Sequence, residues 1–166
     1  MDTRKIARAV ILVAIGIALS PFTSIPIGIA KINPVQHFVN VLGAVLLGPG
    51  WAISIALITG ILRNALGTGT LLAFPGGMIG AFIAGFFYRY SRNIYIAAIG
   101  EIIGTGLLGA VASALIVAPI LMKKGMAVGA LIITFSGSSL LGSIIGVLAL
   151  KLLEQAGIAK LKRNGI

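Results

Sequence analysis

The sequence predicts an all-α integral membrane protein: a six-helix transmembrane bundle, both termini cytoplasmic, with short second and third helices. Three observations carry that prediction. Of 166 residues 58% are hydrophobic, and mean hydropathy is +1.13. Charged residues make up only 10%, where a soluble domain carries about 25%, so the side chains cannot coat a water-facing surface. The charges also fall in short runs between long uncharged stretches. Such a composition excludes a soluble enzyme, a disordered chain and a free-standing nucleic-acid-binding domain. The net charge of +10 sits at the ends and between the apolar stretches. That placement orients a chain in a bilayer and argues against a nucleic-acid partner. With no cysteine, disulfides, zinc–thiolate sites and thiol catalysis are excluded. The length suits one domain, 1–166.

The uncharged gaps give the helices in order. They run over 9–30 (22 residues), 32–62 (31), 64–88 (25), 93–122 (30, broken only by Glu101) and 125–150 (26). A spanning helix needs about 20 residues. The first gap gives a helix over about 5–20, retained rather than cleaved because many apolar spans follow it. Ser20-Pro21-Phe22-Thr23-Ser24-Ile25-Pro26 comes next. Its two prolines predict a stiff, non-helical, mostly apolar outer cap. The 31-residue gap is too long for one straight helix and holds Gly48-Pro49-Gly50 near its middle. Proline lacks a backbone donor and glycine permits a turn, so the gap divides into helices at 34–47 and 51–65. Each is only about 22 Å long at 1.5 Å per residue, which suits a thin hairpin beside longer neighbours. Helices over 75–90, 94–121 and 127–155 complete the six.

Charge bias fixes the direction. With the N-terminus inside, Arg4, Lys5, Arg8, Arg89, Arg92, Lys151, Lys160, Lys162 and Arg163 face the cytoplasm. Only Lys31, Arg63, Lys123 and Lys124 face outward. The inverted arrangement breaks the positive-inside rule. The expected location is the plasma membrane.

Glycine is 23 of 166 residues, and small residues recur four apart: Ala52/Ala56, Gly76/Gly80, Ala81/Gly85, Gly100/Gly104, Ala110/Ala114, Ser138/Gly142 and Gly142/Gly146. In lipid, helices associate through close backbone approach, which such pairs permit. Ala14/Ala18 on the first helix is either another packing ridge or a docking face for a second membrane subunit.

The polar residues gather toward the outer end. Gln36, His37 and Asn40 share one helix face. Polar side chains in lipid must be paired or line a cavity, so these either bond neighbouring helices or touch a ligand. Arg63-Asn64 ends the third helix, and Arg63 either snorkels to headgroups or pairs inward. The loop after it offers Thr68, Thr70 and the ring of Phe74. Glu101 is the one acid within a predicted span, and Thr105 lies one turn on. An intramembrane acid is a functional candidate; Arg63, His37 or an amide are its possible structural partners. On the last helix Ser136, Ser139 and Ser143 share one face, Thr134 and Ser138 another. Ser136 and Ser139 sit at mid-depth, where a cavity floor would be, although small hydroxyls also bond back to their own helix. Few charges line this region, so it suits a small uncharged heterocycle or alcohol rather than a phosphate.

No Walker A pattern, metal-ligand cluster, zincin motif or nucleophile elbow appears. The sequence gives no case for an enzyme and calls for no cofactor; any transport is passive or powered by another chain. No internal repeat supports an inverted-repeat transporter, and no charged ring supports a channel.

Three segments resemble a known family: Pro34 to Pro49 (PVQHFVNVLGAVLLGP), Arg63 to Gly76 (RNALGTGTLLAFPG) and Gly100 to Gly106 (GEIIGTG). They are similar to the ThiW subfamily of substrate-binding S components of energy-coupling factor (ECF) transporters, over nearly the whole chain. The middle segment is the most specific. The resemblance implies capture of hydroxyethylthiazole, the thiazole precursor of thiamine, from outside the cell. It implies assembly with a transmembrane T component and two cytoplasmic ATPase subunits. Ala14 and Ala18 match the family's Ala-xxx-Ala docking motif. The pyrimidine precursor, thiamine itself, and a structural membrane protein without ligand are the alternatives. The expected substrate-binding set, from the polar residues filtered by these segments, is Gln36, His37, Asn40, Asn64, Thr68, Thr70, Phe74, Glu101, Thr105, Ser136 and Ser139.

Overall fold

A computed structural model describes residues 2–28, 30–159 and 161. Among them the chain forms six helices and one small hairpin. Helix α1 (Thr3–Thr23) begins at Asp2, whose carboxylate accepts the Arg4 N–H at 3.1 Å, a standard N-cap. The expected non-helical cap at Ser20–Pro26 starts later than proposed, because α1 continues through Pro21 to Thr23. Pro21 stands near the helix end, where little of the hydrogen-bond ladder remains to be broken, and the Ser20 hydroxyl bonds the Gly16 carbonyl at 2.5 Å beneath it. Ser24 caps the helix, and Ile25 and Pro26 are strand. Strands β1 (Ile25–Ile27) and β2 (Ala30–Ile32) pair antiparallel, with Pro26 opposite Lys31.

Helix α2 (Pro34–Leu47) starts on Asn33, whose side chain accepts the Gln36 N–H at 3.2 Å. Gly48, at φ 94, turns the chain into α3 (Pro49–Ala65). This left-handed conformation suits glycine and joins the two short helices without a loop. Helix α4 covers Ala73–Ser91 and α5 covers Ile94–Leu121. Within α5 the turns Gly104–Gly109 and Ser113–Val117 are π-helical. Helix α6 is Val128–Gln155. Three helices, α1, α5 and α6, are long and apolar enough to cross a membrane. Lys160, Lys162 and Arg163, part of the charge count above, lie outside the described residues.

Helix α2 is the centre of the bundle and packs against the five others. Its ring of buried residues explains this: Val35, Val39, Val41, Leu42 and Val45 are as enclosed as Gln36, His37 and Asn40, the mark of a helix buried on nearly all sides. Large apolar side chains such as Ile120, Ile133 and Leu148 point outward, as lipid-facing residues do. Small residues set the packing. A Cβ on Gly85 would lie 2.6 Å from Pro49 Cα, and one on Gly104 2.8 Å from Gly80 Cα. Every four-apart small pair noted above is buried except Ala14/Ala18, whose two residues are exposed. Helix α1 instead turns Ala9, Leu12, Gly16 and Ser20 inward.

Candidate functional site

The polar faces of α2, α3 and α5 meet against a strip of α4 that has no side chains. Gly76, Gly77 and Gly80 form that strip and are all buried. Their bare backbone lets neighbouring polar groups reach it. Asn40 Nδ2 donates to the Gly77 carbonyl at 2.9 Å, and the Thr105 hydroxyl lies 3.0 Å from the Gly76 carbonyl. Gly80 leaves a notch for an acid: a Cβ there would collide with Thr105 Oγ1 and stand 2.7 Å from Glu101 Oε2.

Glu101 fills this notch and is fully buried. Its Oε1 lies 2.9 Å from His37 Nδ1, 3.0 Å from Asn40 Nδ2 and 2.9 Å from Thr105 Oγ1. Of the partners its sequence position allowed, Glu101 takes the imidazole and an amide; Arg63 forms no ion pair with it. The chain of bonds continues outward. Gln36 Nε2 donates to Asn40 Oδ1 at 3.2 Å, and Arg63 Nη1 donates to Gln36 Oε1 at 2.9 Å. Arg63 Nη2 reaches the Thr68 carbonyl at 3.3 Å. One hydrogen-bonded path thus runs from α3 through α2 to α5. Inside a low-dielectric bundle such a path fixes its members firmly, and each lost partner is expensive. Among the described residues, four buried side-chain polar atoms have no partner: Arg63 Nε, Glu101 Oε2, Thr59 Oγ1 and Ser143 Oγ.

Beside this path lies a cavity of about 20 Å³, room for little more than one water. Gln36, His37, Arg63 and Thr105 line one side, Gly76 and Gly77 the α4 side, and Phe135 and Ser138 the α6 side, with Lys31, Asn33 and Ala73 completing the wall. Asn33 joins three elements: its N–H donates to Ser138 Oγ at 2.9 Å and its side chain to the Ser20 carbonyl at 3.4 Å. The hairpin and the α3–α4 loop close the top. Ser24 Oγ donates to the Thr68 carbonyl at 2.9 Å, and Lys31 Nζ to the Gly67 carbonyl at 2.6 Å.

The expected site residues divide accordingly. Gln36, His37 and Thr105 line the cavity, while Asn40 and Glu101 bond them from behind. Asn64 ties the loop, donating to the Gly60 and Thr70 carbonyls at 2.9 and 3.3 Å. Thr68 bonds the Arg63 carbonyl through its hydroxyl at 3.3 Å, and Thr70 enters only through its backbone. Phe74 packs on Gly60, where a Cβ would stand 3.1 Å from the ring; the aromatic group at the cavity is Phe135. Ser139 bonds back to the Ser136 carbonyl at 3.2 Å, and Ser136 meets Gly106. Ser138 is the α6 hydroxyl at the cavity. Arg63, Asn33, Ser138 and Phe135 stand outside the expected set.

A larger groove between α1, α2 and α6 is walled by apolar side chains such as Ile11, Leu42 and Leu152, with Arg8 its one charged residue. It suits acyl chains rather than a polar ligand.

A helical membrane bundle with an enclosed polar path and a small adjoining cavity defines an all-α membrane protein with a polar interior. The match to known families gives the particular kind. Residues 6–156 fit the family described as thiamine-precursor transporter protein (ThiW), and the chain belongs to that family. No curated protein matches the chain.

Proposed function

We propose that this protein is the substrate-binding S subunit of an energy-coupling factor transporter that captures hydroxyethylthiazole from outside the cell. The chain crosses the plasma membrane six times in this reading, with both termini inside. The observation that carries it is the path from Arg63 to Glu101 beside a cavity in a bundle of the thiamine-precursor transporter family. A thiazole alcohol offers one flat ring, one ring nitrogen and one hydroxyl. The cavity wall offers an aromatic ring in Phe135 and polar groups in Gln36, His37, Thr105 and Ser138. Asn64, Thr68 and Thr70 act through the loop that closes over the ring, Phe74 through its packing on Gly60 of α3, and Ser136 and Ser139 through the α6 backbone behind Ser138. A ring needs more room than the cavity holds, so this loop and the hairpin must swing outward on binding.

The sequence supplies no nucleotide-binding motif, so energy comes from partner chains: a transmembrane T component and two cytoplasmic ATPases. The outward-facing Ala14 and Ala18 suit the docking of the T component. A purely structural role is less well supported, because it predicts polar groups satisfied among themselves, and Arg63 Nε is not.

Calorimetric titration of the ligand-stripped protein in detergent tests the reading, with hydroxyethylthiazole, hydroxymethylpyrimidine and thiamine as titrants. Tight binding of the thiazole alone is expected. Tight binding of another titrant corrects the ligand, and a folded sample that binds none overturns substrate capture.

A further inference from the structure

Arg63 is a buried cation with no carboxylate among its hydrogen-bond partners. It is 2% exposed, and its bonds go to neutral acceptors, Gln36 Oε1 and the Thr68 carbonyl. Its Nε is buried without a partner. The sequence has only three acids. Asp2 caps α1, Glu154 lies in the last turn of α6, and the Glu101 carboxylate is engaged by His37, Asn40 and Thr105. A buried cation with no counter-charge is costly, and an unused buried donor adds to that cost. The cavity it lines has Lys31 as its other charged group and no carboxylate. Glu101 does not offset this at the wall: its Oε1 is covered by His37, Asn40 and Thr105, and its Oε2 lies in the Gly80 notch.

We infer that Arg63 is a ligand-binding residue that reads the unsubstituted nitrogen of a neutral azole ring, and that it makes the site reject N-alkylated azolium cations. The inference rests on the reading of the protein as a capture subunit for a thiamine precursor. The chemistry is direct. The ring nitrogen of a free thiazole carries an in-plane lone pair that accepts an N–H. Alkylation at that nitrogen consumes the lone pair and leaves a positive charge in its place. Beside a guanidinium both changes oppose binding: the donor loses its acceptor, and two like charges are brought together in low dielectric. The ring of thiamine is such a thiazolium. Arg63 therefore separates the free precursor from the finished vitamin by charge, without needing to measure size.

The experiment is titration of the wild-type protein with hydroxyethylthiazole, its N-methylthiazolium derivative and thiamine, repeated with Arg63→Gln and Arg63→Lys. Thermal unfolding in the same detergent checks that each variant is folded. Wild type should bind the neutral thiazole at least about 100-fold more tightly than the N-methylated ring, since a site built around a hydrogen bond strongly rejects a ligand lacking the partner. Arg63→Gln should lose about 10- to 100-fold for the thiazole, and the gap between the neutral and cationic rings should narrow. Arg63→Lys keeps the charge but not the planar fork, so it should bind the thiazole more weakly yet still reject the cation. Equal wild-type affinity for the two rings overturns the inference, as does a folded Arg63→Gln with unchanged affinity and discrimination. Should Arg63→Gln fail to fold, the wild-type comparison and Arg63→Lys decide alone. A folded wild type that binds no azole overturns the capture reading itself, which is a distinguishable result.

Discussion

Asn40 makes three bonds in the site: it accepts from Gln36 and donates to Glu101 and the Gly77 carbonyl. Removing it leaves each of those groups short of a partner inside the bundle. Asn40→Ala and Gln36→Ala should each weaken thiazole binding by about 1–3 kcal/mol, the cost of an unpaired buried group, read by titration. Wild-type affinity in both would remove these residues from the site. At this scale the sequence was partly informative. Gln36, His37 and Asn40 share a face by spacing, and Glu101 and Thr105 share another, so their meeting needed only two helices to face each other. Arg63 could not be placed the same way. A cation at a helix end reads equally well as reaching for headgroups or turning inward, and the choice was made by acceptors far along the chain and across the loop, Gln36 Oε1 and the Thr68 carbonyl. Ser138 was hidden for a similar reason: Asn33 selects it from among the α6 hydroxyls across 105 residues of sequence.

The helices follow the uncharged gaps because in lipid a backbone must satisfy its own hydrogen bonds. That constraint acts locally, and a single sequence displays it. The hairpin at Ile25–Ile32 was not legible. Its strands have three residues each, too short for a periodic signal, and they are held by anchors on the distant α3–α4 loop. The π-helical turns of α5 were missed too; the first falls at Gly104–Gly109, where glycines on α4 and α5 press backbone against backbone. Glycine position is what allows the site to form, which gives a paired test. Gly80→Ala puts a methyl into Thr105 and Glu101 and should destabilise the fold by at least about 1–3 kcal/mol, with thiazole binding lost. Gly137→Ala, on α6, meets nothing within 4 Å and should be neutral or raise stability by up to about 1 kcal/mol. Thermal unfolding of the two variants measures the difference. Equal melting temperatures would show that the notch is not required.

On the scale of the whole molecule, α1 stands apart. It packs chiefly on α2 and α3, and of the four-apart small pairs named above its Ala14/Ala18 ridge is the one left open. In the proposed assembly that ridge is where the T component sits, on the opposite face of α1 from Gly16 and its neighbour Thr59. Ala14→Leu or Ala18→Leu should therefore leave thiazole titration unchanged and abolish co-purification with the T component. Normal assembly of both variants would refute the docking face. The sequence spacing named this pair, but only the fold separates it from the other pairs, since exposure is a property of the bundle and not of a four-residue pattern.

The two bonds that fasten the hairpin to the α3–α4 loop have a consequence in time rather than in affinity. Ser24 and Lys31 hold backbone carbonyls of Thr68 and Gly67, and the Thr68 carbonyl is shared with Arg63 Nη2 of the polar path below. A closed roof of this kind slows entry and exit together. Arrival is then limited by the roof's opening frequency instead of by diffusion, and a captured molecule dwells long enough for a slow partner to engage. In the proposed capture role that delay lets a bound molecule outlast the wait for a partner chain.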